Sequence, residues 1–335
     1  MYWLNRLQAL LGKLIYIMCI SQAVNMISAW CALAMLVGAV VSGCGTYRYA
    51  EGSLHYTLPI ERVEVVEEDF ERPPLVGGIK PPTDILPAGF QVKGLAEGAD
   101  FYAVSGSSYA EYRLWLFDKQ WRMYGEIKLP VPPGERCDGI SFRWNASGHQ
   151  LAVNFSTWHV ARPYEKYHER IGIVCPPELS LQCISEPVPQ QTGVTGIAWS
   201  PENRLFGIAM GETEDTLLEV ATDTCQLTRT WTQAHDPAVI MGPPLISPSG
   251  TWLTCERFAI KRPYVASRIG ILLINLYTGE GVEATSEHGS AYNHQLYQWE
   301  NDNIMLFTRS MGNGKARLYR AYLRSNGDLA QISHP

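Results

Sequence analysis

Two matched stretches carry much of the polar chemistry in this 335-residue chain. Arg162-Pro163-Tyr164 leads to Arg170-Ile171-Gly172-Ile173, and Arg262-Pro263-Tyr264 leads to Arg268-Ile269-Gly270-Ile271. The first stretch adds Tyr167 and His168 between its arms. Four guanidinium groups beside three phenols suit anionic or planar groups, through bidentate hydrogen bonds and stacking. Peptide carboxylates, acidic protein loops and acidic glycans all fit. The alternative is inherited scaffold, with each Tyr packed into a loop turn and each Arg paired with an adjacent acid.

A second cluster holds His288, Asn293, His294 and Gln295, with Asp138 at a comparable place earlier in the chain. A His with an Asp can bind a metal or move protons. Here no third clear ligand accompanies the two His, so neither a metal nor a cofactor is expected. A Gly-x-Ser-x-Gly elbow, a Walker loop and His-Glu-x-x-His are all missing from the sequence. Five cysteines follow Cys44: Cys137, Cys175, Cys183, Cys225 and Cys255. Cys175 and Cys183 fall on the arms of a hairpin turning at Pro176-Pro177, which makes them the expected disulfide. No cysteine spacing matches a zinc site.

The elements that must position these residues repeat. Four segments run a strand into a polar turn and out into a second strand: 140–153, 196–208, 244–254 and 296–307. A fainter copy spans 92–104. With Leu95, Trp144, Trp199, Ile246 and Trp299 as equivalents, the spacings are 49, 55, 47 and 53 residues. That period suits four-stranded units. Third and fourth strands are expected at 171–175 and 182–185, at 216–221 and 226–230, at 268–276 and 281–284, and at 316–323 and 329–332. Sheets of this kind cannot bury both faces alone and must stack around an axis. The fold class is therefore all-β, a β-propeller of five four-stranded blades; a sixth built from residues 45–87 is the alternative count.

Trp199-Ser-Pro-Glu-Asn203, Ser247-Pro-Ser-Gly250 and Trp144-Asn-Ala-Ser-Gly148 resemble the Trp-Ser-Pro-Asp-Gly turn of TolB-type propeller repeats. The resemblance spans about residues 88–335. It departs at the Asp, replaced here by Ser or Glu, and in the first and last units, which lack Ser-Pro. In such turns Pro presets the bend, Gly or Asn takes positive φ, and the aromatic packs between blades. The resemblance speaks to fold and leaves function open. In a propeller the two Arg-Pro-Tyr loops would share one mouth, while Asp138, His294 and Gln295 would face the central channel.

Composition narrows the partners. The chain has 27 basic and 33 acidic residues, a net charge of −6, and only Arg6 and Lys13 are charged before Cys44. That balance argues against a nucleic-acid partner, which needs a basic face. Residues 14–43 hold two apolar blocks that end in Val41-Ser-Gly-Cys44. Basic residues, an apolar stretch and small residues before a Cys resemble the signal and lipobox of bacterial lipoproteins. The resemblance implies lipidation at Cys44, membrane attachment through that N-terminal lipid, and, with Gly45 next, the periplasmic face of the outer membrane. An uncleaved anchor is the alternative, and Met18 or Met26 are further candidate starts. The expected domains are a signal segment at 1–43, a Pro-rich tether with an acidic run at 44–87, in which Ser53–Leu58 and Arg62–Val66 are candidate strands that complete or add to a blade, and the propeller at 88–335. The functional expectation is non-catalytic binding of another envelope protein, as a scaffold or accessory subunit. Its rivals are a lyase or hydrolase working through the channel on a saccharide or peptide, and a binding module for an anionic small ligand or cell-wall fragment.

Overall fold

A computed structural model describes residues 55–56, 60–71, 79, 81–82, 84–109, 111–160, 168–188, 191–211, 213–234, 239–261, 265–286, 294–310 and 316–323. Its strands begin with β1 (His55–Tyr56) and β2 (Ile60–Phe70). The first blade follows with β3 (Gln91–Glu97), β4 (Phe101–Ser107), β5 (Tyr112–Asp118) and β6 (Met123–Glu126). The second has β7 (Glu135–Trp144), β8 (Leu151–His159), β9 (His168–Val174) and β10 (Cys183–Ile184). The third has β11 (Gln191–Trp199), β12 (Leu205–Gly211), β13 (Glu214–Val220) and β14 (Leu227–Ala234). The fourth has β15 (Val239–Ile246), β16 (Trp252–Lys261), β17 (Val265–Asn275) and β18 (Gly281–Ser286). The fifth has β19 (His294–Asn301), β20 (Ile304–Ser310) and β21 (Ala316–Leu323). Within each blade consecutive strands pair antiparallel, so the fold is the expected β-propeller with five blades.

Middle strands are buried on both faces, by a neighbouring blade on each side or, in the first blade, by a blade on one side and the lead-in segment on the other. Leu114, Trp115, Leu116 and Phe117 of β5 are all almost fully buried. A continuous apolar run is what such a strand requires. One apolar cluster fills each of four junctions. Leu116 meets Phe142 and Phe155 between the first and second blades. Ile171 and Ile173 meet Ile197 and Leu205 at the next. Phe206 and Ile208 meet Leu253 and Leu272, and Ile271 and Leu273 meet Met305 and Phe307. Among the described residues no such cluster joins the fifth blade to the first. The open side of the first blade, around Val104, Trp115 and Phe117, packs instead on Ile85, Leu86 and Phe90 of its own lead-in segment.

The fifth blade takes its fourth strand from the start of the chain. β2 pairs with β21, so the strand expected at 329–332 is not what completes this sheet, and those residues lie outside the described ones. The candidate strand at 62–66 is thus part of a longer one, Ile60–Phe70, which completes a blade as expected, and this part of the segment belongs to the propeller. The acidic run has a partner too: Glu64 accepts hydrogen bonds from Tyr322 (2.6 Å) and Arg320 (3.1 Å), and Glu68 pairs with Arg317. Those donors, Tyr322 first, hold the Glu64 carboxyl below its usual range. β1 adds a short fifth strand to the outer edge of the fourth blade.

The disulfide differs from the expected pair. Cys183 bonds Cys225, with Cα atoms 5.6 Å apart, and so ties the outermost strand of the second blade to the β13–β14 turn of the third. Cys183 stands opposite Ile173 in the hairpin, which leaves Cys175 beyond the paired region. Cys175 is a free thiol that donates to Gln182 Oε1 (2.9 Å). Burial pushes the Cys137 thiol up to about 12 and raises that of Cys255 further still, so neither offers a thiolate near neutral pH.

Three successive innermost strands carry a β-bulge, after Val194, Met241 and Leu296. A bulge bends its strand and leaves an amide outside the ladder. At each one, a carboxylate of the preceding blade accepts that amide. Glu169 takes the N–H of Val194, Asp215 that of Met241 (2.7 Å), and Glu256 that of Leu296 (3.0 Å). Asp215 and Glu256 are buried, as the function demands. Asp215→Ala strands the Met241 amide and is expected to cost about 1–3 kcal/mol, with Asp215→Asn losing less; thermal melting checks both. Burial holds Glu169 above the usual carboxylate range, despite its bonds to Asn154 and Val194. Its ionised form therefore weakens the fold as pH rises from the unfolded carboxylate value through the raised folded one. Glu169→Gln should gain stability relative to the native chain across that window and hold the gain above it. Melts between about pH 4 and 8 test the sign, and a gain growing toward acid would reverse it.

Candidate functional site

The repeated turn ends each innermost strand and fixes the residue just before it. Asn145 Oδ1 accepts the amides of His149 and Gln150, both at 3.1 Å. Ser200 Oγ and Ser247 Oγ do the same for Arg204 and Trp252, also at 3.1 Å. Gly148, Asn203 and Gly250 close the turns with φ of 72°, 60° and 76°. The turn chemistry expected from the repeat is thus present, with side-chain oxygens replacing missing backbone partners.

Each such turn delivers a large side chain to one place. Trp144 donates its indole N–H to Ala96 O (3.1 Å) and Trp199 to Arg143 O (2.9 Å), so each indole hooks onto the innermost strand of the blade before it. Gly98 makes room for Trp144, since a Cβ there would lie 2.6 Å from the indole ring. With their N–H groups engaged, these rings have only faces and edges left to offer. The indole nitrogen of Trp299 is buried and has no hydrogen-bond partner among the described residues.

Where the innermost strands of the second to fifth blades end, a cavity of about 410 Å³ opens. The second blade contributes Arg143 and Trp144, and the third Ala198, Trp199 and Pro201. The fourth adds Pro244, Leu245 and Pro248, and the fifth Tyr297, Gln298 and Trp299. Arg143 supplies the charge. Its Nη1 donates to Phe142 O (3.3 Å), and among the described residues no carboxylate pairs with it. The side chain is open to solvent along the cavity, yet protein surrounds it, and this desolvation lowers its proton affinity. It remains cationic at any physiological pH. Other arginines differ: Arg113 pairs with Glu111 and Glu126, Arg204 with Glu219, and Arg320 with Glu300. In each of those the carboxylate raises the guanidinium instead.

The residues expected from the sequence are dispersed. Cys44, Arg162, Tyr164, Tyr167, Arg262, Tyr264, His288 and Asn293 lie outside the described residues. Arg268 stands on β17 opposite Phe258. His168 and Arg170 are gathered on the second blade: His168 Nδ1 lies 3.4 Å from Glu135, which accepts from Thr157 (2.5 Å), and Arg170 reaches Thr157 Oγ1 at 3.5 Å. His294 does not face an open channel. It is fully buried between Thr285, 2.9 Å from its Nδ1, and the ring of Phe307, because the bend into β19 starts inside the junction of the last two blades. Asp138 is the bulge residue of β7, half-buried, and Gln295 is half-buried on β19 with its carbonyl accepting from Thr308 (3.4 Å). None of the three lines the cavity. Among the described residues no group of three or more His, Cys, Asp and Glu is placed to hold a metal ion.

Sequence reasoning passed over Arg143. Its signal is the position just before the repeat aromatic, where the five units carry Gly94, Arg143, Ala198, Leu245 and Gln298. The aromatic recurs because the scaffold needs it. The residue beside it varies, and only one copy is charged.

No protein-family profile and no curated protein matches the chain. Among solved structures it is similar to a prolyl endopeptidase, at 12% identity and a TM-score of 0.51, over 71% of this chain and 34% of that one. The Dos1 propeller aligns at 12% identity and a TM-score of 0.43, over 68% and 67% of the two chains. An oligogalacturonate lyase in complex with manganese aligns at 12% and 0.38, over 72% and 79%. The chain thus spans about a third of the endopeptidase. At such identities the likeness is one of architecture: the chain is a β-propeller.

Proposed function

We propose that this chain is a propeller of the bacterial envelope, lipid-anchored at Cys44 on the periplasmic face of the outer membrane, which binds another envelope component without transforming it. The make-up of the cavity carries the reading. Three indoles, a phenol, several prolines and one guanidinium that no carboxylate among the described residues compensates form a surface suited to holding a ligand. The hydroxyls of Ser200 and Ser247 at its edge are occupied in turns, and among the described residues its lining includes no carboxylate, imidazole or thiol. The Cys183–Cys225 bond supports export, since such bonds persist in oxidising compartments.

Cys44→Ala is expected to move the protein from the membrane pellet to the soluble fraction and to abolish metabolic labelling by palmitate. A pelleted variant, or an unlabelled native chain, would overturn the anchor. Crosslinking of the full-length protein in native membranes, followed by mass spectrometry, tests the binding role. A stoichiometric partner should be captured by the native chain and reduced at least about tenfold in Arg143→Ala, with unchanged melting temperature. A profile indifferent to Arg143 but lost in Arg162→Ala/Arg262→Ala would place binding at the loops instead.

A further inference from the structure

We propose that the cavity recognises a sugar acid, a pyranose ring bearing a carboxylate, as found in acidic glycans. This rests on the cavity being the binding site proposed above and names its ligand class. The protein as a whole is acidic, at −6, yet the cavity's charged side chain is the positive Arg143. The exposed guanidinium donates to Phe142 O, and among the described residues no carboxylate pairs with it. A planar carboxylate from a ligand would accept two parallel N–H bonds from its fork.

The remaining surface selects what the carboxylate is attached to. Trp144 and Trp199 have committed their N–H groups to the framework and present π faces, which are electron-rich and attract the slightly positive C–H face of a sugar ring. Exposed Gln298 and half-buried Tyr297 offer an amide and a hydroxyl at the rim for ring hydroxyls. A volume of about 410 Å³ lies within the range of small-ligand sites. An acidic peptide fits less well. Its amides need partners, and the walls of the cavity here include Pro201, Pro244 and Pro248, which have no N–H to give.

The test is tryptophan fluorescence and calorimetric titration of the full-length protein in detergent. The probes are a glucuronate-containing oligosaccharide, its carboxyl-reduced counterpart, and an acidic peptide of equal charge. The native chain should bind the acidic sugar saturably and the reduced sugar at least about tenfold more weakly, a gap of about 1.4 kcal/mol. Arg143→Gln should erase that gap without shifting the melting temperature, and Arg143→Lys should restore part of it. Trp199→Ala should weaken both sugars, and if it misfolds the Arg143 pair still decides. Equal binding of the two sugars, or preference for the peptide, overturns the sugar-acid assignment. If no sugar binds while the Arg143-dependent crosslink persists in membranes, the ligand class is wrong and the binding role stands. If neither responds to Arg143, both fall.

Discussion

The structure depends on one recurring contact, a carboxylate of one blade holding the bulged amide of the next. An innermost strand must curve to stay beside the axis, and the bulge that curves it exposes a buried N–H. Glu169, Asp215 and Glu256 turn that liability into the hinge pin of three successive junctions. An apolar cluster can slide with little change in energy, whereas a buried hydrogen bond to a carboxylate fixes the offset between neighbouring sheets. The position of every later residue in an innermost strand, Trp199 and Trp299 included, follows from where that pin sits. The cavity is thus a by-product of how the blades are registered.

What was legible in the sequence is what repeats. The strand-turn-strand segments gave five blades, and Asn145, Ser200 and Ser247 announced turns whose bonds the structure contains. Features made between blades were hidden, because their partners occupy different places in different units. Glu169 and Asp215 sit on third strands but Glu256 on a second strand, so no alignment of the repeats brings them together. The same blindness misassigned Cys183: a neighbour eight residues away looked nearer than Cys225, yet stacking of blades brings the distant thiol against it. The candidate strand at 62–66 was legible, but the ion pairs of its acidic run were not, because their basic complement, Arg317 and Arg320, lies up to 256 residues away.

The site shows the two kinds of information apart. Aromatic residues at the repeat position serve the scaffold first, through bonds to Ala96 and Arg143 carbonyls, and face the cavity as a consequence. Among the described residues the Arg143 guanidinium makes a single bond, to the neighbouring carbonyl. His294, more conspicuous as a residue type, turned out to belong to the packing between Thr285 and Phe307.

Closure of the last sheet by β2 has a temporal meaning. β2 is made early and β21 late, and Glu64 bonds Arg320 across a separation of 256 residues. Until the final blade has emerged, the early strand has nothing to pair with and keeps both its edges open. Completion of that sheet therefore waits until Ala316–Leu323 has been made, so this long-range pairing is a late and slow step. A ribosome that stopped short of Ala316 would release a molecule with an unmatched edge, open to pairing with another chain.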